Sequence, residues 1–156
     1  MKNTEILEKL VKRTTEYLKN DIGIEIDDSC TTIKSVDQIE YLDITAYIAL
    51  SSDISATVGM STSNKFACTL VKKFLSIEIA PSEMAELAAE NIAETLNITT
   101  GNILKDLMIM KEGGNINISI PHTLYNAVVV KKKKNGMMYI SKLRSNDEEI
   151  LLSYFL

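Results

Sequence analysis

The stretch from residue 94 to residue 102 reads Glu-Thr-Leu-Asn-Ile-Thr-Thr-Gly-Asn and lies inside one long predicted helix, residues 82 to 110. Glycine costs about 1 kcal/mol relative to alanine in a helix interior, and asparagine and threonine each cost roughly half as much. So many poor helix formers in a short stretch indicate that something other than helix stability favours them there.

Helical periodicity predicts which side of this helix faces the core. At about 100° per residue, one side is apolar; it carries Ala85, Ala89, Ile92, Leu96, Ile103 and Leu107. The opposite side carries Glu83, Glu90, Glu94, Asn97 and Gly101. Because residues four apart are neighbours on a helix surface, the missing side chain of Gly101 leaves a bare patch beside Asn97. An exposed acid and carboxamide beside a bare patch suit contact with another macromolecule.

These features also have purely structural interpretations. Glu94 and Asn97 are consistent with two polar residues on a solvated helix face. Gly101 is consistent with a C-cap that ends one helix before another begins at Asn102. The residues themselves leave both alternatives open.

The stretch resembles the active-site helix of the CheC/CheX chemotaxis phosphatases. That motif, Glu-x-x-Asn followed by x-x-x-Gly-Asn, falls on Glu94, Asn97, Gly101 and Asn102. The chain has one copy, so it is similar to the single-site CheX type rather than the two-site CheC type. It departs from the family at Glu90, four residues before the motif glutamate, where the family often has Asp or Ser.

The segments on either side of the motif are also similar to this family. Residues 44 to 61 resemble the strand pair that precedes its first inner helix, and residues 116 to 121 resemble a strand that ends at a proline. The resemblance therefore covers roughly residues 40 to 130, in the family's order of helices and strands.

The resemblance implies an activity, which is hydrolysis of the aspartyl phosphate of a CheY-type response regulator. Asn97 would insert its carboxamide and orient the attacking water, and Glu94 would pair with a lysine of the regulator. Glu90 and Gly101 would contact the partner. The chain itself would bind no metal or organic cofactor, because the regulator would supply Mg²⁺. The resemblance also implies a homodimer.

A non-catalytic alternative comes from the family's further resemblance to flagellar switch proteins. A domain of this kind could bind a regulator or a switch component without hydrolysing anything. Retention of both Glu94 and Asn97 favours the enzyme.

The order of predicted elements favours an α/β fold of the α+β type, in one domain over residues 1 to 156. One mostly antiparallel sheet of about six strands would pack against helices 63–75 and 82–110, and an N-terminal helix, 4–19, would cover another surface. The predicted strands include residues 44–50, 54–60, 116–120, 127–134 and 137–143. Residues 151–156 are read as a last strand or a tail.

Local signals add detail to this prediction. Asn64 and Ser82 are the predicted N-caps, with Phe66, Leu70, Val71 and Phe74 facing inward from the first helix. Asn135-Gly136 predicts a hairpin between 127–134 and 137–143. Those long strands also offer a sheet edge for dimerisation.

Composition and charge exclude several classes of protein. The chain has 156 residues, 46% of them hydrophobic and 24% charged, which is typical of a globular domain. Its net charge of −4 argues against nucleic acid as a partner, and the lysine run 131–134 is interpreted as a solvated hairpin tip. With neither a predicted membrane span nor an apolar signal segment, we expect a cytoplasmic protein in which Cys30 and Cys68 are free thiols.

Overall fold

The computed structural model describes residues 4–29, 31–52, 55–109 and 115–156. Helix α1 spans Glu5–Glu16 and continues into a π-helical turn, Tyr17–Ile22; α2 spans Asn64–Leu75 and α3 spans Pro81–Ile109. Cys68 is a free cysteine. Cys30 lies outside the described residues, and so does Met110, the predicted end of the long helix.

Nine strands are described, and their names follow chain order. They are β1 (Lys34–Ser35), β2 (Gln38–Glu40), β3 (Ile44–Ser51), β4 (Ser55–Thr62), β5 (Asn117–Ile118), β6 (His122–Tyr125), β7 (Val129–Lys131), β8 (Met138–Ser145) and β9 (Glu148–Phe155). Seven of them form one sheet in the order β1-β8-β9-β4-β3-β5, with β6 also paired to β3, and every pairing is antiparallel. The predicted α/β fold with a mostly antiparallel sheet is confirmed.

One face of this sheet carries the main core. Alternate residues of β3 and β4, among them Ile48 and Val58, are fully buried and belong to the same apolar cluster as Leu10 of α1 and Leu96 of α3. Helix α1 contacts both α3 and the strands β8 and β9. The prediction that the N-terminal helix covers another surface is therefore wrong, because α1 lies beside α3 on the same face. Helix α2 packs chiefly on α3.

The other face of the sheet carries a smaller core beneath a two-stranded sheet made of β2 and β7. Tyr41 follows β2 and is buried, and its hydroxyl lies 3.2 Å from Ser153 Oγ of β9. A Cβ built on Gly59 of β4 would lie 2.5 Å from that Ser153 oxygen and 3.3 Å from the Tyr41 hydroxyl. Gly59 therefore marks a close approach between the small sheet and the main one.

The predicted hairpin at Asn135-Gly136 is wrong. Strand β7 pairs with β2 and not with β8, so the lysine run 131–134 is not a hairpin tip. Strand β8 instead pairs with β9, and the turn between them contains Asn146, whose φ of 53° is one that asparagine tolerates. The ambiguous 151–156 segment belongs to β9, which lies inside the sheet between β8 and β4.

This topology does not provide the free sheet edge from which a dimer was predicted. Residues 127 to 143 do not form a continuous free edge, because β7 lies in the small sheet. On its outer side, β8 pairs with β1 through Ile140 and Tyr139, and Arg144 forms a bridge with Asp27. The homodimer remains a prediction based on resemblance alone.

Predictions at the ends of α2 and α3 needed correction. Ser63, not Asn64, caps α2, and its Oγ accepts a hydrogen bond from the backbone N–H of Phe66 at 3.1 Å. Phe74 is 51% exposed rather than inward, and Ala85 is also exposed. Both residues lie close to the connection between α2 and α3, which runs along the surface. The apolar pattern of the sequence therefore extends beyond the part of each helix that packs on the core. Among the described residues, no helix is long and apolar enough to cross a membrane.

Candidate functional site

Helix α3 runs without a break through the stretch 94–102. It extends from Pro81 to Ile109, so Gly101 lies well inside it. Gly101 does not have the positive φ of a C-cap, which Gly23 does have at the end of the π-helical turn. The alternative in which Gly101 ends a helix is therefore excluded.

The two sides of α3 differ as the periodicity predicts. Ile92, Leu96, Ile103 and Leu107 are buried in the main core. Glu90, Glu94 and Gly101 are exposed, and Asn97 is half-buried. Residues three or four apart on a helix are neighbours with Cβ atoms roughly 5–6 Å apart, so Glu94, Asn97 and Gly101 form one continuous outer patch.

The polar side chains of this patch are not used inside the molecule. Within the described part of the chain, neither Glu94 nor Asn97 has a hydrogen-bond or ion-pair partner. By contrast, Asn91, one turn earlier on the flank of α3, donates its amide to the Leu87 carbonyl at 3.0 Å. The Asn97 carboxamide thus keeps both its donors and its acceptor for an outside group.

Gly101 is not required by the packing of the protein. A Cβ built on it meets no atom within 4 Å, unlike one built on Gly59. A larger residue would fit and would improve helix propensity. The absence of a side chain therefore leaves room on the outside of the helix, next to Asn97.

The threonines of the stretch have a different explanation, which the sequence reasoning missed. Thr95, Thr99 and Thr100 face inward and are buried. The Thr99 hydroxyl donates to the carbonyl of Thr95 at 2.9 Å, and the Thr95 hydroxyl donates to that of Asn91 at 2.8 Å. Thr95 and Thr99 therefore bond back onto their own helix, whereas the buried Thr100 hydroxyl has no hydrogen-bond partner among the described residues. All three belong to the packing, not to the outer patch.

The π-helical turn that follows α1 was not predicted from the sequence. Tyr17 and Asp21 belong to the π-helical turn, which is far from α3 in sequence. Burial raises the pKa of Tyr17, and the nearby carboxylates of Asp21 and Glu94 raise it further. Helix α1 itself packs on α3, with Arg13 paired to Asp106. Short π-helical segments are often found at functional sites, but no local sequence signal announced this one.

The candidate site is convex. A groove of about 380 Å³ lies on the opposite face of the sheet, between the two sheets, where Ile39, Tyr41 and Leu151 line it. None of its lining residues comes from α3. Polar groups that project from a convex helix are suited to entering a cavity on another molecule, rather than to enclosing a small substrate.

The patch offers few groups for chemistry. Among residues 4–29, 31–52, 55–109 and 115–156, no group of three or more His, Cys, Asp or Glu side chains could hold a metal ion. A carboxylate and a carboxamide can orient water and pair with a cation, but neither is an activated nucleophile here. The electrophile and any metal would have to come from the partner, which stays a prediction.

Comparison with protein families gives one match. The family described as chemotaxis phosphatase CheX matches residues 44–141, more than half of the chain. The matched range includes the whole of α3 and its outer patch. No curated protein sequence matches the chain closely enough to count as a relative.

Solved structures with the same fold extend over nearly the whole chain. Chemotaxis protein CheX from Desulfovibrio desulfuricans is 16% identical, with a TM-score of 0.79, and covers 96% of this chain and 97% of its own. CheX from Vibrio vulnificus is 15% identical, with a TM-score of 0.80, over 97% and 99%. CheX from Borrelia burgdorferi, solved in a complex with CheY, BeF₃ and Mg²⁺, is 17% identical, with a TM-score of 0.71, over 96% of each chain. At these identities the likeness concerns the fold.

Proposed function

The chain belongs to the CheX family of chemotaxis phosphatases, and from this membership we propose that it hydrolyses the aspartyl phosphate of a CheY-type response regulator. The relative from Borrelia burgdorferi was solved with CheY, BeF₃ and Mg²⁺, which supports a partner of this class. The observation that carries the proposal is the outer patch of α3, where Glu94 and Asn97 project without internal partners beside the open position of Gly101.

Asn97 is the proposed catalytic residue. An aspartyl phosphate is a reactive mixed anhydride, so a helper protein needs mainly to position a water for in-line attack. A carboxamide is suited to this because it can accept a hydrogen bond from the water while donating one to a phosphoryl oxygen. Holding the water in this geometry lowers the barrier by several kcal/mol. No covalent intermediate on this chain is needed.

Glu94 is the proposed docking residue. It lies one helical turn before Asn97 on the same side of α3, so a cation bound to its carboxylate would lie close to the reacting phosphate. A lysine of the regulator would form this ion pair and would fix the orientation of α3. Charge pairs of this kind contribute to specificity and to the rate of association.

Glu90 and Gly101 extend the contact in both directions along α3. Glu90 is exposed one turn before Glu94, and its negative charge would face basic residues of the regulator. Gly101 lets the partner's backbone approach Asn97 closely, because nothing projects from that position. Mg²⁺ would be held by the regulator's own carboxylates and would neutralise charge on the phosphoryl group.

Two further properties belong to the proposal. By resemblance to CheX, the protein would be a homodimer, and sedimentation at micromolar concentration would detect a monomer if this is wrong. The isolated chain would bind no divalent metal, and calorimetric titration with Mg²⁺ would show saturable heats if this is wrong. The non-catalytic docking module is the alternative, in which the outer patch binds a partner without hydrolysis.

The proposal is tested by mixing the wild-type protein with a phosphorylated CheY-type regulator and following loss of phosphate. We expect loss to be faster than the regulator's own hydrolysis, in proportion to the amount of protein added. Binding of the phosphorylated regulator with no acceleration would contradict the proposal and would favour the docking module.

A further inference from the structure

Lys105 lies on the same side of α3 as the outer patch. It follows Gly101 by four residues and Glu94 by eleven, which is about three full turns of a helix. Its side chain is exposed. Because α3 is continuous over Pro81–Ile109, this spacing places Lys105 in line with the outer patch and beyond its C-terminal end.

The Lys105 ammonium is not used inside the described part of the molecule. It has no hydrogen-bond or ion-pair partner among those residues. The neighbouring carboxylate of Asp106 is paired with Arg13 of α1 instead. Lys105 also precedes the last described turn of α3, and the helix dipole favours cations mainly within that turn. Lys105 therefore contributes little to the stability of the free protein.

Helix geometry allows Lys105 to reach back towards the patch. Long side chains on a helix lean towards its N-terminus and lie over the residue four positions earlier. For Lys105 that residue is Gly101, where a built Cβ meets no atom within 4 Å. The lysine side chain can therefore lie along the open surface between its own position and Asn97.

The charges on this side of α3 are separated by sign. Glu90 and Glu94 are exposed before Asn97, whereas Lys105 is exposed after Gly101. At a rise of about 1.5 Å per residue, Glu94 and Lys105 are roughly 16 Å apart along the helix axis. A partner that contacts both must present a cation at one end of its surface and a carboxylate at the other.

We propose that Lys105 is a specificity-determining residue, which forms an ion pair with a carboxylate of the response regulator at the end of the interface opposite to the Glu94 contact. The inference rests on the proposed function, because it concerns docking on the same patch. A regulator that holds Mg²⁺ carries carboxylates around its phosphorylation site, and such a group at the rim is a suitable partner for an ammonium.

The physical benefit is a defined direction of docking. One ion pair beside Asn97 fixes a point of contact but leaves α3 free to turn about it. A second pair of opposite sign fixes the direction in which α3 crosses the regulator. If α3 docked in the reverse direction, Glu94 would face the carboxylate and Lys105 would face the cation. Like charges would then meet at both ends, which disfavours that complex.

The first experiment measures binding by calorimetry to a CheY-type regulator loaded with BeF₃ and Mg²⁺. Lys105→Gln should weaken binding about threefold, because an exposed ion pair is lost. Lys105→Glu should weaken it roughly tenfold or more, because the charge is reversed. Both effects should shrink at high ionic strength. Lys105→Arg keeps the cation and should bind like the wild type.

Lys34→Gln is the matched control for these variants. Lys34 is also an exposed lysine without a described ion pair. It belongs to β1, which lies at the other end of the sheet from β3, the strand on which α3 packs most extensively. Lys34→Gln should leave binding unchanged. If Lys105→Glu binds as tightly as Lys34→Gln, the inference is wrong.

The second experiment separates docking from chemistry and from stability. In steady-state dephosphorylation, Lys105→Glu should raise KM for the phosphorylated regulator, while kcat should stay within about twofold, because Lys105 pairs with the rim and not with the phosphoryl group. The melting temperature of Lys105→Gln should equal that of the wild type, since lysine and glutamine have similar helix propensities. A fall in kcat with KM unchanged would contradict a docking role.

The third experiment identifies the contact itself. A carbodiimide joins a lysine amine directly to a carboxylate that it already touches, and mass spectrometry locates the bond. In the complex with the BeF₃-loaded regulator, we expect a cross-link from Lys105 to an Asp or Glu of the regulator and one from Glu94 to a lysine. A cross-link at Glu94 without one at Lys105 would overturn the inference.

The outcomes separate this inference from the proposed function. If the wild type accelerates dephosphorylation and Lys105→Glu behaves like Lys34→Gln, the inference is wrong and the function stands. If the wild type binds without acceleration but cross-links through Lys105, the hydrolytic function fails and the docking contact stands. If the wild type does not bind the loaded regulator at all, both are wrong.

Discussion

Arg13 of α1 and Asp106 of α3 form a two-point ion pair across 93 positions of sequence. Arg13 Nε donates to Asp106 Oδ2 at 2.8 Å, and Nη2 donates to the other carboxylate oxygen. The two side chains are 33% and 27% exposed. This pair joins α1 to α3, so it helps to fix how the N-terminal helix packs on the helix that carries the outer patch.

Asp106→Asn is expected to lower the free energy of unfolding by about 1 kcal/mol at neutral pH, because a partly exposed two-point pair is lost. The hydrogen bond from Arg13 lowers the pKa of Asp106 in the folded protein. The pair's contribution is therefore present above the unfolded pKa of about 3.9 and is lost as the pH falls through the lower, folded value.

Denaturant unfolding of the wild type and Asp106→Asn, measured from pH 7 down to acid, checks this prediction. The difference between the two proteins should shrink as the pH falls below the unfolded pKa. A difference that stays constant down to the lowest pH would mean that the pair does not supply it. Glu86→Gln is a control for the loss of one carboxylate, because Glu86 is an exposed glutamate beyond the first turn of α3.

Two glycine substitutions should change stability in opposite directions. Gly59→Ala should destabilise the fold by about 1–3 kcal/mol, because the new Cβ meets Ser153 Oγ at 2.5 Å. Gly101→Ala should stabilise it by up to about 1 kcal/mol, since its Cβ enters open space on a helix. Thermal unfolding of both variants checks these two expected changes in stability. Gly101→Ala melting below the wild type would contradict the account of α3, and Ser153→Ala should partly rescue Gly59→Ala.

The faces of α3 were predictable from sequence because they depend on local periodicity alone. Ile92 and Leu96 are buried and Glu94 is exposed, as predicted. The hairpin was not predictable from turn residues. The chain does turn at Asn135-Gly136, where the Gly136 N–H donates to the Lys133 carbonyl at 2.9 Å, but the strands on either side of this turn do not pair with each other. The hairpin forms at Asn146 instead, because β8 pairs with β9.

Contacts between segments that are far apart in the chain could also not be predicted from the sequence. The packing of α1 on α3 joins Arg13 and Asp106, which are 93 positions apart, and no residue pattern marks the π-helical turn that follows α1. The burial of Thr99 and Thr100 was not predicted from the sequence either. Their unusual presence in a helix suggested function, whereas the fold uses them for packing.

Glu94→Ala is expected to weaken binding of the regulator and to slow dephosphorylation at limiting regulator, each roughly tenfold, since an intermolecular charge pair is lost. The effect should be smaller at high ionic strength, because salt screens the pair in the wild type. Binding is measured by calorimetry and the rate by phosphate release. Glu86→Ala, another exposed glutamate of α3, is the matched control. Equal effects of the two variants would contradict a specific role for Glu94.

Gly101→Leu is expected to obstruct docking without lowering stability. The added side chain enters open space in the free protein but occupies the surface beside Asn97. We expect dephosphorylation at limiting regulator to fall by roughly tenfold or more, while the melting temperature stays equal or rises because leucine is a good helix former. Gly101→Ala should have a much smaller effect on the rate. If Gly101→Leu binds and acts like the wild type, the partner does not approach this part of α3.

The central claim is that Asn97 orients the attacking water, and single-turnover dephosphorylation by Asn97 variants tests it most directly. Asn97→Ala should slow phosphate loss about 100-fold at saturating protein, a size typical for removal of one preorganised polar group. Asn97→Asp should also fail, because a carboxylate lacks the donor and repels the phosphoryl oxygens. Asn91→Ala, which removes an amide that serves only the helix itself, should act like the wild type. If Asn97→Ala binds the phosphorylated regulator and removes its phosphate as fast as the wild type, Asn97 is not the water-positioning residue.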